Sequence, residues 1–146
     1  MQKGKLMGIA IRKKSRAPMK LLDTADISID VGIDGDFRGK HEKRQVTLLS
    51  KEDWENACAD LGVEMPWTTR RANLLTKDIS FENTKGSHLH IGEIVLQVSG
   101  ETQPCHRMDE ACNGLQDALT PAWRGGILCL VVTGGKIQIG DSIHFK

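Results

Sequence analysis

The chain has 146 residues, of which 39% are hydrophobic and 27% are charged, so it is long enough to bury the core of one ordinary domain. Aromatic residues make up only 4%, which argues against the stacking surfaces that bind single-stranded nucleic acid. The net charge of +1 divides unevenly: residues 1–50 hold 11 Lys and Arg against 6 Asp and Glu, and residues 51–146 hold 9 against 13. A basic half of this size suits a small anionic ligand better than a duplex, and a solvated basic face is the plainer alternative.

The sequence carries no signal for a membrane or a secretory route. No apolar run approaches the roughly 18 residues that span a bilayer. The N-terminal segment lacks the apolar region and cleavage site of a secretory signal. Four cysteines separated by 47, 7 and 17 positions match neither a zinc nor a disulfide framework. We therefore expect a cytoplasmic protein without a membrane or nucleic-acid partner.

In chain order, the first half alternates strands with one helix. A strand is predicted over residues 6–11, and "DISIDVGIDGDFRGK" predicts another that ends in a Gly- and Asp-rich loop over residues 32–40. A strand over residues 45–49 follows. Ser50 is the predicted N-cap of a helix, and Gly62 is the residue that ends it.

The second half reads as further short strands. "RRANLL" predicts a strand or its entry, and "HLHIGEIVLQVSG" predicts a strand that turns at Gly92. The closing stretch predicts three strands joined by tight hairpin turns at Gly134-Gly135 and Gly140-Asp141. Short strands with only two clear helices indicate a mostly β protein, a small closed β-barrel with peripheral helices, and a single domain over residues 1–146.

Three of the four cysteines are predicted to be core residues. Cys58 shares an apolar helical stripe with Trp54, and Cys129 lies inside the apolar run "GILCLVV". A second helix, read as continuous through residues 108–119, places Cys112 on its stripe. That stripe consists of Met108, Ala111, Cys112, Leu115, Ala118 and Leu119. Free cysteine packs as a small hydrophobe, so we expect these three thiols to be buried.

Cys105 differs because it follows Pro104 at the start of the second helix, off the apolar stripe. Free amides at a helix start and a neighbouring cation favour a thiolate, and His106 and Arg107 are adjacent. A thiolate is what a nucleophile, a persulfide carrier or a soft-metal ligand requires; an ordinary surface thiol is the alternative. His88 and His90 could share a strand face, but two ligands do not make a zinc site.

The chain resembles the MOSC domain, the module named for the C-terminal domain of molybdenum cofactor sulfurases. The resemblance rests on the order and spacing of elements that are individually weak. These elements are "APMK", "GIDGDFRGK", "RQVTLLS", "RRANLL", "HIGEIVLQV", "QPCHRMD", "WRGGIL" and "GGKIQIGDSI". It implies a closed barrel of the kind inserted in pyruvate kinase, in agreement with the strand pattern.

The resemblance also implies a molybdenum cofactor (molybdopterin) site. It gives Cys105 the place of a cysteine that ligates molybdenum in amidoxime-reducing relatives, and it gives Arg71 and Asn73 the place of residues that hold the pterin phosphate. Arg38, Lys40, Arg107 and His106 are further candidates for that pocket. The chain departs from the family pattern where Gly-Asp-Arg reads Gly-Asp-Phe-Arg, with the arginine at position 38, and where a second cysteine near Cys105 is lacking in the Pro-Cys element. The pyridoxal phosphate domain of larger members is absent from the sequence, so pyridoxal phosphate is not expected to bind.

Three functions follow as expectations. The first is a molybdenum cofactor protein that reduces N-hydroxylated compounds, with Cys105 as catalytic residue and metal ligand. The second is a sulfur carrier with a persulfide on Cys105, and the third is a non-catalytic module that binds molybdopterin. The first needs a small-molecule substrate and an electron-donor protein in trans, and the second needs a sulfur donor.

Overall fold

The computed structural model describes residues 3–146, which form eleven strands and three short α-helices. The strands are β1 (Lys3–Ile11), β2 (Lys20–Leu22), β3 (Thr24–Ser28), β4 (Gly32–Ile33), β5 (Val46–Ser50), β6 (Leu74–Lys77), β7 (His88–Ile91), β8 (Ile94–Glu101), β9 (Ile127–Thr133), β10 (Gly135–Gln138) and β11 (Ser142–Phe145). The α-helices are α1 (Lys51–Leu61), α2 (Arg107–Ala111) and α3 (Leu115–Leu119), and two single 3₁₀ turns cover Trp67–Arg70 and Pro121–Trp123.

Seven strands close into a barrel, as the sequence predicts. Their order is β11-β7-β8-β9-β5-β6-β1, and β1 pairs with β11 to complete the ring, with Lys5 opposite Ser142. The β5–β6 pair is parallel, with Leu48 opposite Leu74, and the chain between these two strands includes α1. Closure removes the free edges that an open sheet of this size would expose.

Two of the expected hairpins are wrong, because the strands that the glycine turns join do not pair with each other. After β9, Gly134 passes so close to β3 that an added Cβ would lie 2.6 Å from the carbonyl oxygen of Ile27. This close approach directs β10 onto β3, and β10, β3 and β4 form a separate small sheet. β11 then returns to the barrel beside β7 and β1. The turn at Gly92 does join a paired hairpin, β7 and β8.

Helix α1 begins and ends where the sequence predicts. The Ser50 hydroxyl accepts a hydrogen bond from the backbone N–H of Asp53 at 3.3 Å, and Gly62 adopts a left-handed conformation with φ of 66°. Trp54, Ala57 and Cys58 are the buried face of the helix. They pack with residues of α2 and α3 into a second core outside the barrel, as expected for peripheral helices.

The second helix is not continuous, which corrects the sequence prediction. Cys112 is extended, with φ of −159° and ψ of 125°, and separates α2 from α3. Gly114 follows with φ of 91°, a conformation that favours glycine. Cys112 is half-buried rather than buried, whereas Cys58 and Cys129 are buried as expected. All four thiols are free of disulfides.

A candidate anion-binding cleft beside Cys105

One cleft of about 600 Å³ gathers most of the predicted site residues. We call it the arginine cleft, because seven of the eight arginines in the sequence line it. These are Arg12, Arg16, Arg38, Arg44, Arg70, Arg71 and Arg107. Cys105, Asn73, Thr102 and Gly125 also line it. The volume is in the range of sites that bind cofactors and small ligands.

The charge of the lining is strongly positive. Against seven guanidinium groups the lining holds two carboxylates, Asp36 and Glu110, and no lysine. Among the described residues, the one salt bridge within the cleft joins Arg16 to Glu110 at 3.9 Å, with both side chains largely exposed. Guanidinium groups bind phosphate and carboxylate with two parallel hydrogen bonds, which an ammonium group does not. The cleft is therefore suited to an anionic ligand with oxygen acceptors.

Arg70 is a buried cation that no carboxylate neutralises within the described part of the chain. Its Nε donates to the carbonyl of Gly125 at 3.1 Å and one terminal nitrogen donates to the carbonyl of Thr102 at 3.0 Å. The other terminal nitrogen lies 3.7 Å from the sulfur of Met108. Burial lowers the pKa of Arg70 to about 10, repulsion from Arg44 lowers it as well, and the interaction with Cys105 opposes both. Arg70 therefore keeps its charge at neutral pH.

Arg71 and Asn73 both line the cleft, but their side chains make different hydrogen bonds. Arg71 ends the 3₁₀ turn in a left-handed conformation, with φ of 65°, and its guanidinium donates to the carbonyl of Ala17. The amide oxygen of Asn73 accepts from the backbone N–H and hydroxyl of Thr47, and its nitrogen donates to the carbonyl of Ala10 at 3.1 Å. Asn73 thus ties β1 and β5 together. Arg71 is the member of this pair with donors left for a ligand.

The loop after β4 brings Arg38 to the cleft despite the additional residue in its motif. The carboxylate of Asp36 accepts from the backbone N–H groups of Arg12 and Arg38 at 3.1 and 3.2 Å, which holds the loop against the end of β1. Phe37 points outward, and the guanidinium carbons of Arg12 and Arg38 lie 5.6 and 5.3 Å from its ring centre. Phe37 is therefore the additional residue in the motif, and Arg38 still lines the cleft.

Cys105 is exposed on the loop that leads into α2, directly before the N-cap residue His106. Because α2 is only five residues long, the continuous helix expected to favour the thiolate does not exist. Its cationic neighbours come instead from elsewhere in the chain: the interaction with Cys105 raises the pKa of Arg44 and of Arg70, against the effect of their burial. The thiol therefore stands at the edge of a cationic site.

The structure does not bring every candidate into the cleft. Lys40 and His106 are exposed and do not line it, whereas Arg38, Arg71, Asn73, Arg107 and Cys105 do. Sequence reasoning did not assign Arg12, Arg16, Arg44 or Arg70 to the site. Part of the signal was present in the basic N-terminal half: all four of its arginines line the cleft and none of its lysines does.

The histidines form no metal site within residues 3–146. His90 and His144 stack on neighbouring strands with ring centres 5.0 Å apart. No cluster of three or more His, Cys, Asp or Glu in that range is arranged to hold a metal ion. Over the same range, no helix is long and apolar enough to cross a bilayer.

Fold and site together define a small closed β-barrel protein with one arginine-lined cleft and an exposed thiol at its edge. The sequence model of the MOSC domain matches residues 34–144, and the chain therefore belongs to the MOSC domain family. No curated protein matches the chain.

Solved structures share the fold over nearly the whole chain. The YuaD protein from Bacillus subtilis is 20% identical, with a TM-score of 0.82 over 99% of this chain and 98% of that one. YiiM from Geobacillus stearothermophilus is 14% identical, with a TM-score of 0.79 over 98% and 75%. YiiM from Escherichia coli is 16% identical, with a TM-score of 0.72 over 97% and 69%. At these identities the likeness establishes the fold.

Proposed function

We propose that the protein binds the molybdenum cofactor in the arginine cleft, with Cys105 as the protein ligand of molybdenum, and reduces N-hydroxylated compounds. The observation that carries this proposal is the position of Cys105. It is the one cysteine that lines the cleft among the described residues, and it is exposed there in a lining where six of the seven arginines form no salt bridge with any described residue. The four cysteines of the protein are free thiols, which fit a reducing compartment, and we propose the cytoplasm as the location of the protein.

The donor set fits the chemistry of that cofactor. Molybdopterin carries a phosphate and a dithiolene, and molybdenum held by sulfur tolerates a further thiolate ligand. Arg71, with Arg12 beside it, offers charge-assisted donors for the phosphate, and Cys105 offers the thiolate. Asn73 supports this arrangement by holding β1 and β5 in place rather than with a free amide.

When bound, the cofactor would supply two-electron redox chemistry, and Cys105 and Arg71 would hold it in the cleft. In the overall reaction the N–O bond of the N-hydroxylated group breaks, two electrons and two protons are taken up, and water leaves. The electrons come from a donor protein in trans. The residues of this chain bind the anionic groups and orient the substrate beside Cys105.

A sulfur carrier is a second candidate, favoured by the exposure of Cys105. A thiol on a surface loop is accessible to a donor protein, and the nearby cations would stabilise the anionic terminal sulfur of a persulfide. A non-catalytic module that only binds and delivers molybdopterin would use the same cleft without turnover.

Elemental analysis separates these functions. The protein would be purified from a host that makes the cofactor, and molybdenum, pterin and cyanide-labile sulfur would be measured on the same sample. We expect molybdenum and pterin near one per chain, with turnover of an N-hydroxylated substrate when electrons are supplied. Labile sulfur without metal would support the carrier, and full metal without turnover would support the binding module.

A further inference from the structure

The outer surface of the barrel carries a group of basic side chains that do not line the cleft. Along β7 and β11, Leu89, Ile91 and Ile143 point into the core, so the residues that alternate with them point outward. These outward histidines and the lysines of the neighbouring strands form what we call the basic face. The basic face consists of Lys3, Lys5, Lys77, His88, His90 and His144.

The strand register places these basic side chains next to one another. Lys3 is opposite His144, and His144 is opposite His90 on the next strand. The rings of the two histidines stack with their centres 5.0 Å apart and an angle of 12° between their planes. Lys5 is opposite Lys77. Residues directly opposite on paired strands have Cβ atoms about 4.5–5.5 Å apart, so basic groups are in contact range across three strand pairs.

No carboxylate neutralises the basic face within the described part of the chain. None of its side chains forms a salt bridge there, and none of its register partners is acidic. The carboxylates of the adjoining turns, Glu93 and Asp141, accept instead from the backbone N–H groups of Lys136 and Gln138, at 3.0 and 2.8 Å. Like charges opposite each other on paired strands are destabilising. The basic face therefore lowers the stability of the free protein.

Protection of a sheet edge does not account for these charges. Lysines on edge strands prevent an open sheet from pairing with another chain. In this barrel, however, β1, β7 and β11 each pair with a strand on both sides. An anionic partner would replace the repulsion on the basic face by attraction.

The basic face and the arginine cleft lie at opposite ends of β1. Lys3 is the first residue of this strand, whereas Arg12 directly follows its last residue and lines the cleft. At about 3.3 Å per residue, these two positions are roughly 30 Å apart along the strand. A partner on the basic face would leave the cleft open, so the inference that follows is independent of the proposed function.

We infer that the basic face is a docking surface for an acidic segment of a partner protein. The face covers four neighbouring strands, β6, β1, β11 and β7, which makes it about 15 Å wide at about 4.8 Å between strands. Nucleic acid fits it less well, because a duplex needs a larger positive footprint and the face holds no arginine, Trp or Phe. A short run of carboxylates matches both its width and its charge.

The three histidines make this docking dependent on pH. The face carries three lysine charges at pH 8 and gains up to three more as the histidines are protonated. Burial lowers the pKa of His90, and repulsion from neighbouring basic groups lowers it further. These neighbours are His144, Lys146 and His88. Docked carboxylates would oppose this repulsion and raise the pKa, so binding takes up protons and strengthens as pH falls.

The first test measures binding of a rhodamine-labelled peptide of ten aspartates by fluorescence anisotropy, at low ionic strength and at pH 8 and pH 5.5. Each exposed ion pair contributes about twofold in affinity, so three added charges should tighten binding by about tenfold at pH 5.5. In His90→Gln/His144→Gln the gain should fall to about twofold, from His88 alone. Both substituted side chains point outward, so this variant should keep the fold.

The second test compares two pairs of lysine substitutions at pH 8. Lys3→Gln/Lys5→Gln should weaken peptide binding by about fourfold. It should not lower the thermal midpoint, since it removes repulsion from the face. Lys20→Gln/Lys43→Gln is the matched control: it changes the net charge equally at two exposed lysines outside the face, one of them opposite Ile11 at the far end of β1. This control should leave the affinity within about 1.5-fold.

Each result decides the inference. Equal weakening by the two lysine double variants would overturn docking at the basic face. Loss of binding in Arg44→Gln would place the peptide in the arginine cleft, which also overturns it. Affinity of the unmodified protein that does not change between pH 8 and pH 5.5 would overturn the role of the histidines. If single-stranded DNA of ten nucleotides binds more tightly than the peptide and is weakened by Lys3→Gln/Lys5→Gln, the face binds nucleic acid, and the acidic protein segment is overturned.

Discussion

At the scale of single residues, Arg71 and Asn73 have different roles in the cleft although they are two positions apart. The guanidinium of Arg71 makes one hydrogen bond with the described residues, to the carbonyl of Ala17, whereas the side-chain amide of Asn73 makes three hydrogen bonds that join β1 and β5. The sequence resemblance groups the two as one phosphate-binding element. In the structure, Arg71 is the side chain that can contact a ligand and Asn73 is the side chain that shapes the cleft wall.

Replacing Arg71 by Ala should weaken cofactor retention by about 2 kcal/mol, because a charge-assisted phosphate contact is lost. Pterin released during dialysis measures this effect. Arg71→Gly is a matched variant: it loses the same contact but relieves the left-handed backbone conformation, so it should be roughly 1 kcal/mol more stable to unfolding than Arg71→Ala. Unchanged pterin content in both would remove Arg71 from the site.

Asn73→Ala should instead act on the fold. The carbonyl of Ala10 and the N–H of Thr47 would lose their partners, and we expect about 2–3 kcal/mol of lost stability in urea unfolding. A variant with normal stability and lost pterin would contradict this assignment and make Asn73 a direct ligand.

At the scale of elements, the chain between β8 and β9 shows where helical periodicity is insufficient. The spacing of apolar residues over positions 108–119 fits one helix, but Gly114 is at φ of 91° and Cys112 is extended. The break places Cys112 at the margin of the outer core and leaves α2 as a single short element after Cys105. Periodicity correctly predicts that Met108, Leu115, Ala118 and Leu119 are buried, but Ala111 is exposed and Cys112 is half-buried. An Asn-Gly pair in the middle can end a helix without changing the apolar spacing.

Gly114→Ala tests this break by the sign of its effect. In a continuous helix the change would stabilise the protein by about 1 kcal/mol. In the observed structure it should destabilise it by about 1–3 kcal/mol, because φ is positive and the new Cβ would lie 3.0 Å from Leu61. A higher thermal midpoint for Gly114→Ala than for the unmodified protein would contradict the break and support the single continuous helix.

The first turn of α1 should make stability depend on pH. Burial raises the pKa of Asp53 to about 6, above its ordinary value of 3.8; Arg124 opposes the shift, and Glu52 and Glu82 add to it. The folded state therefore binds this proton more tightly than the unfolded state, so stability is lost as pH rises from about 4 to about 6. Asp53→Asn should raise the thermal midpoint relative to the unmodified protein at pH 7 and should have little effect at pH 4.

Glu52→Gln provides a control of opposite sign. Burial raises the pKa of Glu52, but hydrogen bonds from the backbone N–H of Asp78 and the hydroxyl of Ser50 lower it. The net effect is a lowered pKa. Its contribution is present above the ordinary pKa of about 4.5 and is lost as pH falls, so Glu52→Gln should destabilise the protein at pH 7 and less at pH 3. Destabilisation by both variants at pH 7 would show that burial does not dominate at Asp53.

At the scale of the whole molecule, local signals predict the barrel better than they predict its cleft. Short strands and glycine turns suffice for a closed β architecture, and the caps of α1 are recognisable as a Ser and a Gly at the right spacing. The pairing of β10 with β3 is not recognisable, because it depends on a close approach between distant segments. The arginines of the cleft come from positions between 12 and 107, so the sequence shows only part of its charge, as a basic N-terminal half.

The proposed function depends on Cys105, and its most direct test is the molybdenum content of Cys105→Ser, with Cys112→Ser as the matched control. Both replace a thiol by a hydroxyl, but only Cys105 lines the cleft, and neither side chain is in the buried core. After purification from a cofactor-competent host, we expect Cys105→Ser to lose the metal and the reduction of N-hydroxylated substrate. Its thermal midpoint should stay within about 2 °C of that of the cofactor-free unmodified protein, which corresponds to less than about 1 kcal/mol. Cys112→Ser should keep the molybdenum and the turnover of the N-hydroxylated substrate. Full molybdenum content and full turnover in Cys105→Ser would contradict the central claim that this thiol is the metal ligand.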